Sequence, residues 1–444
     1  MLSAGFSKVV ISPPIGAPLA GFAARTGVCE GIHDELYTRA LVIEKAGDRV
    51  AFVSLDLLAV SSEFVRAIRD RIERRTGIGK DAVMIAATHT HAGPVTVSTF
   101  FNPGESLDEV YMSRLADAIE ESVASAYANL SPALIGVGSG RVSGIGVNRR
   151  TEDKLPIDDE IGIIKVADPD GNIKVILINY SCHPTVLGSN NLLATGDFPY
   201  FTVDRIEKET GGSAMFVNGT QGNISMGHSS ELSAIGVITP GRTFEHAEEL
   251  GNKLANAAIE AMPSIAVSAE TEISAKCIPF SLPLKTYPSR SATAEKLRAA
   301  EARLNELNGD KPDDDAELKA LLNAKSEALY ASIENFYAAE TERFANRIMP
   351  IELQGIRIGE AVFIAVPAEV FVEIGLELKK EAPHKTYIVG IANGYIGYMP
   401  TREAYPHGGY EVVSARCSPE AHNTLVIRSV ELEKQLFADN GSGQ

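Results

Sequence analysis

The 444-residue chain has no tryptophan and only four cysteines, Cys29, Cys182, Cys277 and Cys417, none in a CxxC spacing. That argues against a disulfide-stapled scaffold and against a thiolate zinc site, and leaves reduced structural thiols. Basic residues are in deficit, 41 Lys+Arg against 58 Asp+Glu, for a net charge of −17. A chain of that sign lacks the basic footprint a phosphate backbone demands, so no nucleic-acid partner is expected, and anionic lipid is a poor surface for it. No apolar run approaches the roughly 20 residues of a membrane span, so no stable membrane insertion is expected. The N-terminal residues Met1–Lys8 lack the basic start and apolar stretch of a secretory signal, which makes the cytoplasm the expected location. Nucleotide motifs are missing as well. Gly138-Ser139-Gly140-Arg141-Val142-Ser143-Gly144 is one residue too long for GxGxxG, and no Gly-Lys-Ser/Thr occurs.

What is present is an ordinary globular composition, 45% hydrophobic and 22% charged, in a chain long enough to bury a large core. Apolar runs predict strands at Leu36–Val42, Val50–Leu55, Ala82–Ala87, Ile161–Val166, Val175–Ser181, Ala214–Asn218, Thr271–Ile278, Ile351–Ile356, Ala361–Ala365 and Thr386–Ile391. Helical spacing predicts Ser62–Arg75, Leu107–Asn129, Glu245–Ala261, Ala368–Glu381 and Pro419–Phe437. Strands interspersed with helices imply an α/β fold, with helices layered on mixed sheets. Residues 289–346 shift to Ala, Glu, Leu and Lys with a break at Asn308–Asp313, which reads as a helical hairpin, either a solvated insertion or a lid or association arm. No internal repeat is visible. One domain spanning 1–444, carrying that hairpin, is the economical expectation.

Nine histidines occur, and two of them stand in Thr88-His89-Thr90-His91-Ala92-Gly93-Pro94 directly after an apolar strand. Imidazole is a common neutral metal ligand and a general base near pH 7, and residues i and i+2 of a strand share a face. His183 repeats the pattern of strand, imidazole and Pro. A metal site of this kind is completed by a carboxylate. Asp56, Asp197 and Glu369 all interrupt apolar surroundings, and composition does not choose among them. The turn Val217–Gly227 offers backbone N–H groups and the Ser225 hydroxyl, but it is not a G-x-S-x-G elbow. Tyr395, Tyr398, Tyr405 and Tyr410 crowd one segment, which reads as an aromatic β-ribbon or as phenols serving an oxyanion or an ion.

In this order, Thr88–Pro94, Val147-Asn148-Arg149, His183, the Ser225 turn, Pro367-Ala368-Glu369, Asn393–Tyr398 and Tyr410-Glu411 resemble the neutral/alkaline, non-lysosomal ceramidase family of zinc amidases. The resemblance implies one zinc ion per chain, bound by His89, His183, Glu369 and Tyr398. It also implies that His91 handles protons beside the metal, that Arg149 and Tyr410 polarise the amide oxygen, and that Ser225 lies near substrate. The chain departs from the family where Asn223 and Met226 replace an aspartate and a proline around Ser225, and where Pro184 replaces a glycine. No C-terminal immunoglobulin-like domain is expected after Glu431. The resulting expectation is a zinc-dependent amidohydrolase that cleaves an N-acyl amide, ceramide or a smaller N-acyl amine, to a carboxylate and an amine, possible as a homo-oligomer. Two alternatives stand beside it: a metal-independent hydrolase using Ser225 or Cys182, and a non-catalytic binding protein on the same scaffold.

Overall fold

The fold is built from one motif used three times. A computed structural model describes residues 1–100, 107–150, 155–307, 312 and 314–438. The first copy comprises strands Ser3–Val10, Tyr37–Lys45 and Asp48–Leu55, helix Ser62–Thr76, strand Val83–Ala87 and helix Glu109–Ala128. The second comprises strands Leu134–Arg141, Glu160–Ala167 and Ile173–Tyr180, helix Phe198–Thr210, strand Ser213–Asn218 and helix Phe244–Ala261. The third comprises strands Ile273–Pro283, Ile348–Ile358 and Ala361–Ala365, helix Val372–Glu381, strand Lys385–Val389 and helix Ala421–Ala438. In every copy the first three strands are antiparallel neighbours, and the fourth crosses over through a helix to lie parallel to the third. The expectation of no internal repeat is therefore corrected at the level of topology, because each copy meets the same packing demand with different side chains.

The three sheets face one another. Phe52 and Met84 of the first, Leu177 and Met215 of the second, and Phe363 and Tyr387 of the third share one buried cluster. Helices cover the opposite face of each sheet. Burial on both faces explains why the strands read as continuous apolar runs and not as an alternation of polar and apolar residues. Buried polar side chains tie the sheets pairwise. The Ser54 hydroxyl donates to the Phe216 carbonyl, Asn179 Nδ2 donates to the Ile388 carbonyl at 2.9 Å, and Asn393 Oδ1 accepts from the Ile85 N–H at 2.9 Å.

Local signals set the element ends. Ser61 caps the helix Ser62–Thr76 by accepting from the Phe64 N–H, and Gly77 ends that helix at φ +72°. The third copy is interrupted between its first two strands by helices Arg290–Leu307 and Asp315–Thr341, which pack on each other. Of the break expected over Asn308–Asp313, all but Pro312 lies outside the described residues. The mixed α/β architecture is the expected one, and among the described residues no helix is long and apolar enough to cross a membrane.

Candidate metal centre

The candidate histidines and Glu369 follow the carboxyl ends of third or fourth strands, where three sheets open onto one rim and where α/β folds bind ligands, while Arg149 comes from the connection between the first two strands of the second copy. Strand Val83–Ala87 leads to His89 and His91, strand Ile173–Tyr180 to His183, and strand Ala361–Ala365 to Glu369. The two histidines of the first segment are not on a strand, as expected, but beyond its end. His89 takes φ +71°, so the backbone reverses between the pair, and what brings their rings 4.9 Å apart is a turn and not a pleat. Glu369 is likewise not in a helix. Its N–H donates to the Gly397 carbonyl at 3.0 Å, pairing it in parallel register with Tyr398, and the helix starts only at Val372. The tyrosine-rich segment makes no ribbon, because Tyr398-Met399 is a two-residue strand followed by helical turns at Arg402–His407 and Tyr410–Val413.

The donors converge from the three copies. Glu369 Oε2 lies 2.9 Å from His183 Nε2 and 3.4 Å from His89 Nε2, and His91 Nε2 lies 3.4 Å from His89 Nε2. A tetrahedral ion with bonds of about 2.0–2.2 Å sets its ligand atoms roughly 3.3–3.6 Å apart, which is close to these separations. One ligand atom from each of the three histidines falls within 4.8 Å of the others.

The hydrogen-bond partners decide which atoms are available. His89 Nδ1 faces the Leu58 carbonyl at 2.8 Å and His183 Nδ1 faces the Gln221 carbonyl at 2.7 Å. A carbonyl only accepts, so each Nδ1 carries its hydrogen and each neutral ring presents an Nε2 lone pair. Burial, with help from the nearby Arg149, pushes the His183 pKa down to about 4, so that ring is neutral at pH 7. Burial opposes ionisation of Glu369, and only positive charge among the groups it faces, on the imidazoles or on a cation in their place, holds the carboxyl well below its ordinary range. Imidazole lone pairs and a carboxylate, buried and facing one another, repel unless a cation lies between them. Two imidazoles and a carboxylate suit a borderline first-row divalent ion. His91 is held differently. Its Nδ1 is buried with no partner, and its ring leans on Phe22 at 5.0 Å and on Gly21.

Around this centre Arg149 donates to Glu411 Oε1 at 2.8 Å, to the Gly222 carbonyl at 2.8 Å and to the Tyr398 hydroxyl at 3.0 Å. Burial and the Glu369 carboxylate push both the Tyr398 and Tyr410 phenols well above the usual range, so both keep their protons. His91, Arg149, Tyr398 and Tyr410 line one cavity. Ser225 is not among the residues lining it, and its hydroxyl donates to the His228 carbonyl at 2.9 Å. Cys182 is buried against Met226, and burial pushes its thiol up. Neither nucleophile has a hydrogen-bonded base. Of the other carboxylates, Asp56 pairs with Arg39 at 2.5 Å, while Asp197 caps the helix Phe198–Thr210. Two residues escaped the sequence reading. The Tyr395 hydroxyl donates to Glu369 Oε1 at 2.6 Å, and Asn218 Nδ2 donates to the carbonyls of both Thr88 and Cys182 at 3.1 Å, tying two histidine segments together. Both lay inside segments already singled out for their polar content.

The model of the neutral/alkaline non-lysosomal ceramidase N-terminal region matches residues 4–226, half of the chain. The chain belongs to that family. Among its relatives, the neutral ceramidase of Pseudomonas aeruginosa is 25% identical over 462 aligned positions, covering 90% of this chain and 67% of that protein. The Mycobacterium tuberculosis neutral ceramidase is 24% identical over 440 positions, 86% of this chain and 68% of that protein. The rice neutral ceramidase is 28% identical over 211 positions, so the ceramidase match covers 42% of this chain and about a quarter, 26%, of that protein. The crystal structure of the Pseudomonas aeruginosa neutral ceramidase superposes with a TM-score of 0.73 at 21% identity, over 98% of this chain and 75% of that one, and shares the fold. The matched ceramidase region contains His89, His91, Arg149, His183 and Ser225. Glu369, Tyr398 and Tyr410 come from the third copy of the motif, beyond it.

Proposed function

We propose that the chain is a zinc-dependent amidohydrolase, with one zinc ion held by His89, His183, Glu369 and Tyr398, that cleaves an N-acyl amide to a carboxylate and an amine. The observation that carries this reading is the convergence of two carbonyl-anchored imidazoles and one carboxylate, all buried and each from a different copy of the motif, beside a cavity that opens to the surface. A zinc ion there supplies Lewis acidity and acidifies water to a pKa of about 7. The chain's own groups do the rest. Arg149 and the Tyr410 hydroxyl face the oxygen of the scissile carbonyl and stabilise the charge that develops on it, contacts worth roughly 3–4 kcal/mol each when preorganised. His91, whose Nδ1 is free of other partners, passes a proton to the departing amine nitrogen. Tyr395 keeps the Glu369 carboxylate aimed with Oε2 toward the histidines.

Relatives named neutral ceramidase support an amide bond as the target. The substrate class is an N-acyl amine, either ceramide or a smaller compound of the same linkage. Metal analysis of the purified chain, together with fatty-acid release from short- and long-chain ceramides and amine release from small N-acyl amines, tests the reading. About one zinc per chain and turnover lost to a chelator and restored by zinc are expected. A chain that binds no zinc and hydrolyses none of these amides with zinc added overturns it.

A further inference from the structure

The cavity that opens over His91 is small, about 30 Å³, room for a water or two. Away from His91 its wall is mixed, apolar at Phe22, Ala234 and the rings of Tyr398 and Tyr410 and polar on one side. Thr185, His228, Ser230 and Ser233 form that polar side.

Behind that wall stands Arg242. Its Nη2 donates to Ser233 Oγ at 2.5 Å and its Nε to Thr239 Oγ1 at 3.2 Å, while Nη1 reaches the carbonyls of Thr185 and Leu187. A guanidinium has no lone pair to offer, so both hydroxyls accept from it and keep their own hydrogens to spend. Thr239 Oγ1 is 2.7 Å from His228 Nδ1. When that hydroxyl gives its hydrogen to Nδ1, the His228 hydrogen resides on Nε2, an atom buried without a partner among the described residues in a residue only 8% exposed. Burial, and then Arg242, push the His228 pKa down to about 4, so the ring is the neutral donor tautomer at pH 7. Among the described residues no carboxylate forms an ion pair with Arg242, and none does so with Arg25, whose guanidinium bonds only the carbonyls of Ala20, His91 and Asn191. The two cations flank the Phe22 ring, 5.1 Å and 5.9 Å from its centre. The wall therefore sets the Ser233 hydroxyl and the His228 ring beside one guanidinium, on which Asp197 acts without forming an ion pair, while its Ser230 hydroxyl donates to Glu411.

We propose that this wall is a carboxylate subsite, which receives hydrogen bonds from His228 Nε2–H and Ser233 Oγ–H to an acid group carried a few bonds from the scissile amide. The substrates are then small N-acyl compounds bearing a carboxylate, such as N-acyl amino acids. This rests on the amidase reading and narrows it. The test uses zinc-loaded full-length protein and three probes: N-acetylglycine, with its acid on the amine side, N-ethylsuccinamic acid, with its acid on the acyl side, and the neutral N-ethylacetamide. At least one acid probe should exceed the neutral one in kcat/KM by about tenfold or more, the size expected of a charged hydrogen-bonded contact. His228→Leu and Ser233→Ala should each shrink that ratio about tenfold. Ser233→Ala keeps the test open if the leucine variant does not fold. Equal turnover of acid and neutral probes, or a ratio unmoved by both variants, overturns the subsite while leaving the amidase reading intact. If no amide is hydrolysed at all, the amidase reading falls. Calorimetric titration of N-acetylglycine then judges the subsite alone, with binding to the parent weakened by Ser233→Ala supporting it and no binding, or equal binding, overturning it.

Discussion

His89 and His91 are two residues apart, yet they differ in how the fold restrains them, and the difference supports the division of work proposed for them. His89 is fixed at both ends: a positive φ that only surrounding structure can enforce, and an Nδ1 anchored on the Leu58 carbonyl. That is how a ligand is aimed, since the hydrogen bond at one nitrogen sets the lone pair at the other. His91 has no such anchor among the described residues, so its ring is held by packing on Phe22 and Gly21 and its Nδ1 is buried without a hydrogen-bond partner. His89→Ala should therefore purify with almost no zinc, whereas His91→Ala should keep its zinc and lose about 10²–10⁴-fold in kcat. Metal analysis beside steady-state kinetics separates the two, and a metal-free His91→Ala would make His91 a ligand. Tyr395 carries a milder prediction. Removing its hydroxyl in Tyr395→Phe leaves Glu369 Oε1 unpartnered by it, and zinc affinity measured by chelator competition should fall about 10–100-fold. An unchanged affinity would show that the carboxylate holds its aim without the phenol.

Elements position the centre through close backbone contact as well as through side chains. Gly222, in the turn after strand Ser213–Asn218, packs so tightly on the short Glu369-Val370 strand that a Cβ there would sit 2.5 Å from the Glu369 carbonyl oxygen and 2.9 Å from the Val370 carbonyl. Both are backbone atoms that cannot swing aside. Gly222→Ala should displace Glu369 by several tenths of an ångström and lower zinc affinity although residue 222 offers no ligand atom, and a variant that binds zinc like the parent refutes this coupling. The same strand shows what the sequence conveyed and what it withheld. Long strands such as Val50–Leu55 and Ala361–Ala365 were legible because both their faces are buried, so they are apolar throughout. Glu369-Val370 was not, because two residues carry no periodicity and their pairing with Tyr398-Met399 is a long-range choice; the apolar residues from Val370 to Leu378 looked helical from Ala368 onward. Strands Ser3–Val10 and Leu134–Arg141 were missed for the opposite reason, since they have exposed positions and glycines that blur the run. Of the site, the histidines were legible from their place after apolar strands. The choice of Glu369 over Asp56 and Asp197 rested on family likeness alone, and the physical reason for it, Arg39 beside Asp56 and a helix N-terminus at Asp197, needs tertiary structure.

At the scale of the whole molecule, the centre exists only while three sheets stay in register, so the contacts between copies of the motif are also contacts that hold the site. Asn393 joins the third sheet to the first: its Oδ1 accepts from the Ile85 N–H, its Nδ2 donates to Gln354 Oε1 at 2.7 Å, and its φ of +62° is one that asparagine tolerates and leucine does not. Asn393→Leu should cost about 2–4 kcal/mol in urea unfolding, from a stranded buried N–H and the backbone conformation together, and a loss below about 1 kcal/mol would mean that the bridge is dispensable. The second and third copies meet at an ion cluster. Lys379 Nζ lies 2.6 Å from Asp158 and 2.8 Å from Glu160, and Lys385 also pairs with Glu160. Burial alone would raise the Glu160 pKa, but Lys379 and Lys385 outweigh it and hold the native carboxyl down to about 2, against an ordinary value of about 4.3 in the unfolded chain. Between those two values the unfolded state binds the proton more readily than the native state, so stability rises with pH there. The contribution is complete above about pH 5 and is lost as the pH falls toward 2. Glu160→Gln removes the titration, so the fall in unfolding free energy from pH 7 to pH 3 should be smaller in that variant by about 1–2 kcal/mol. Identical pH dependence in parent and variant would place the acid sensitivity elsewhere, and Lys379→Met, which weakens the same pair from the other side, should flatten the acid limb in the same direction. Acid should then loosen the seam between the copies that supply His183 and Glu369, and zinc release should track that loosening in the parent below about pH 4 more steeply than in Glu160→Gln.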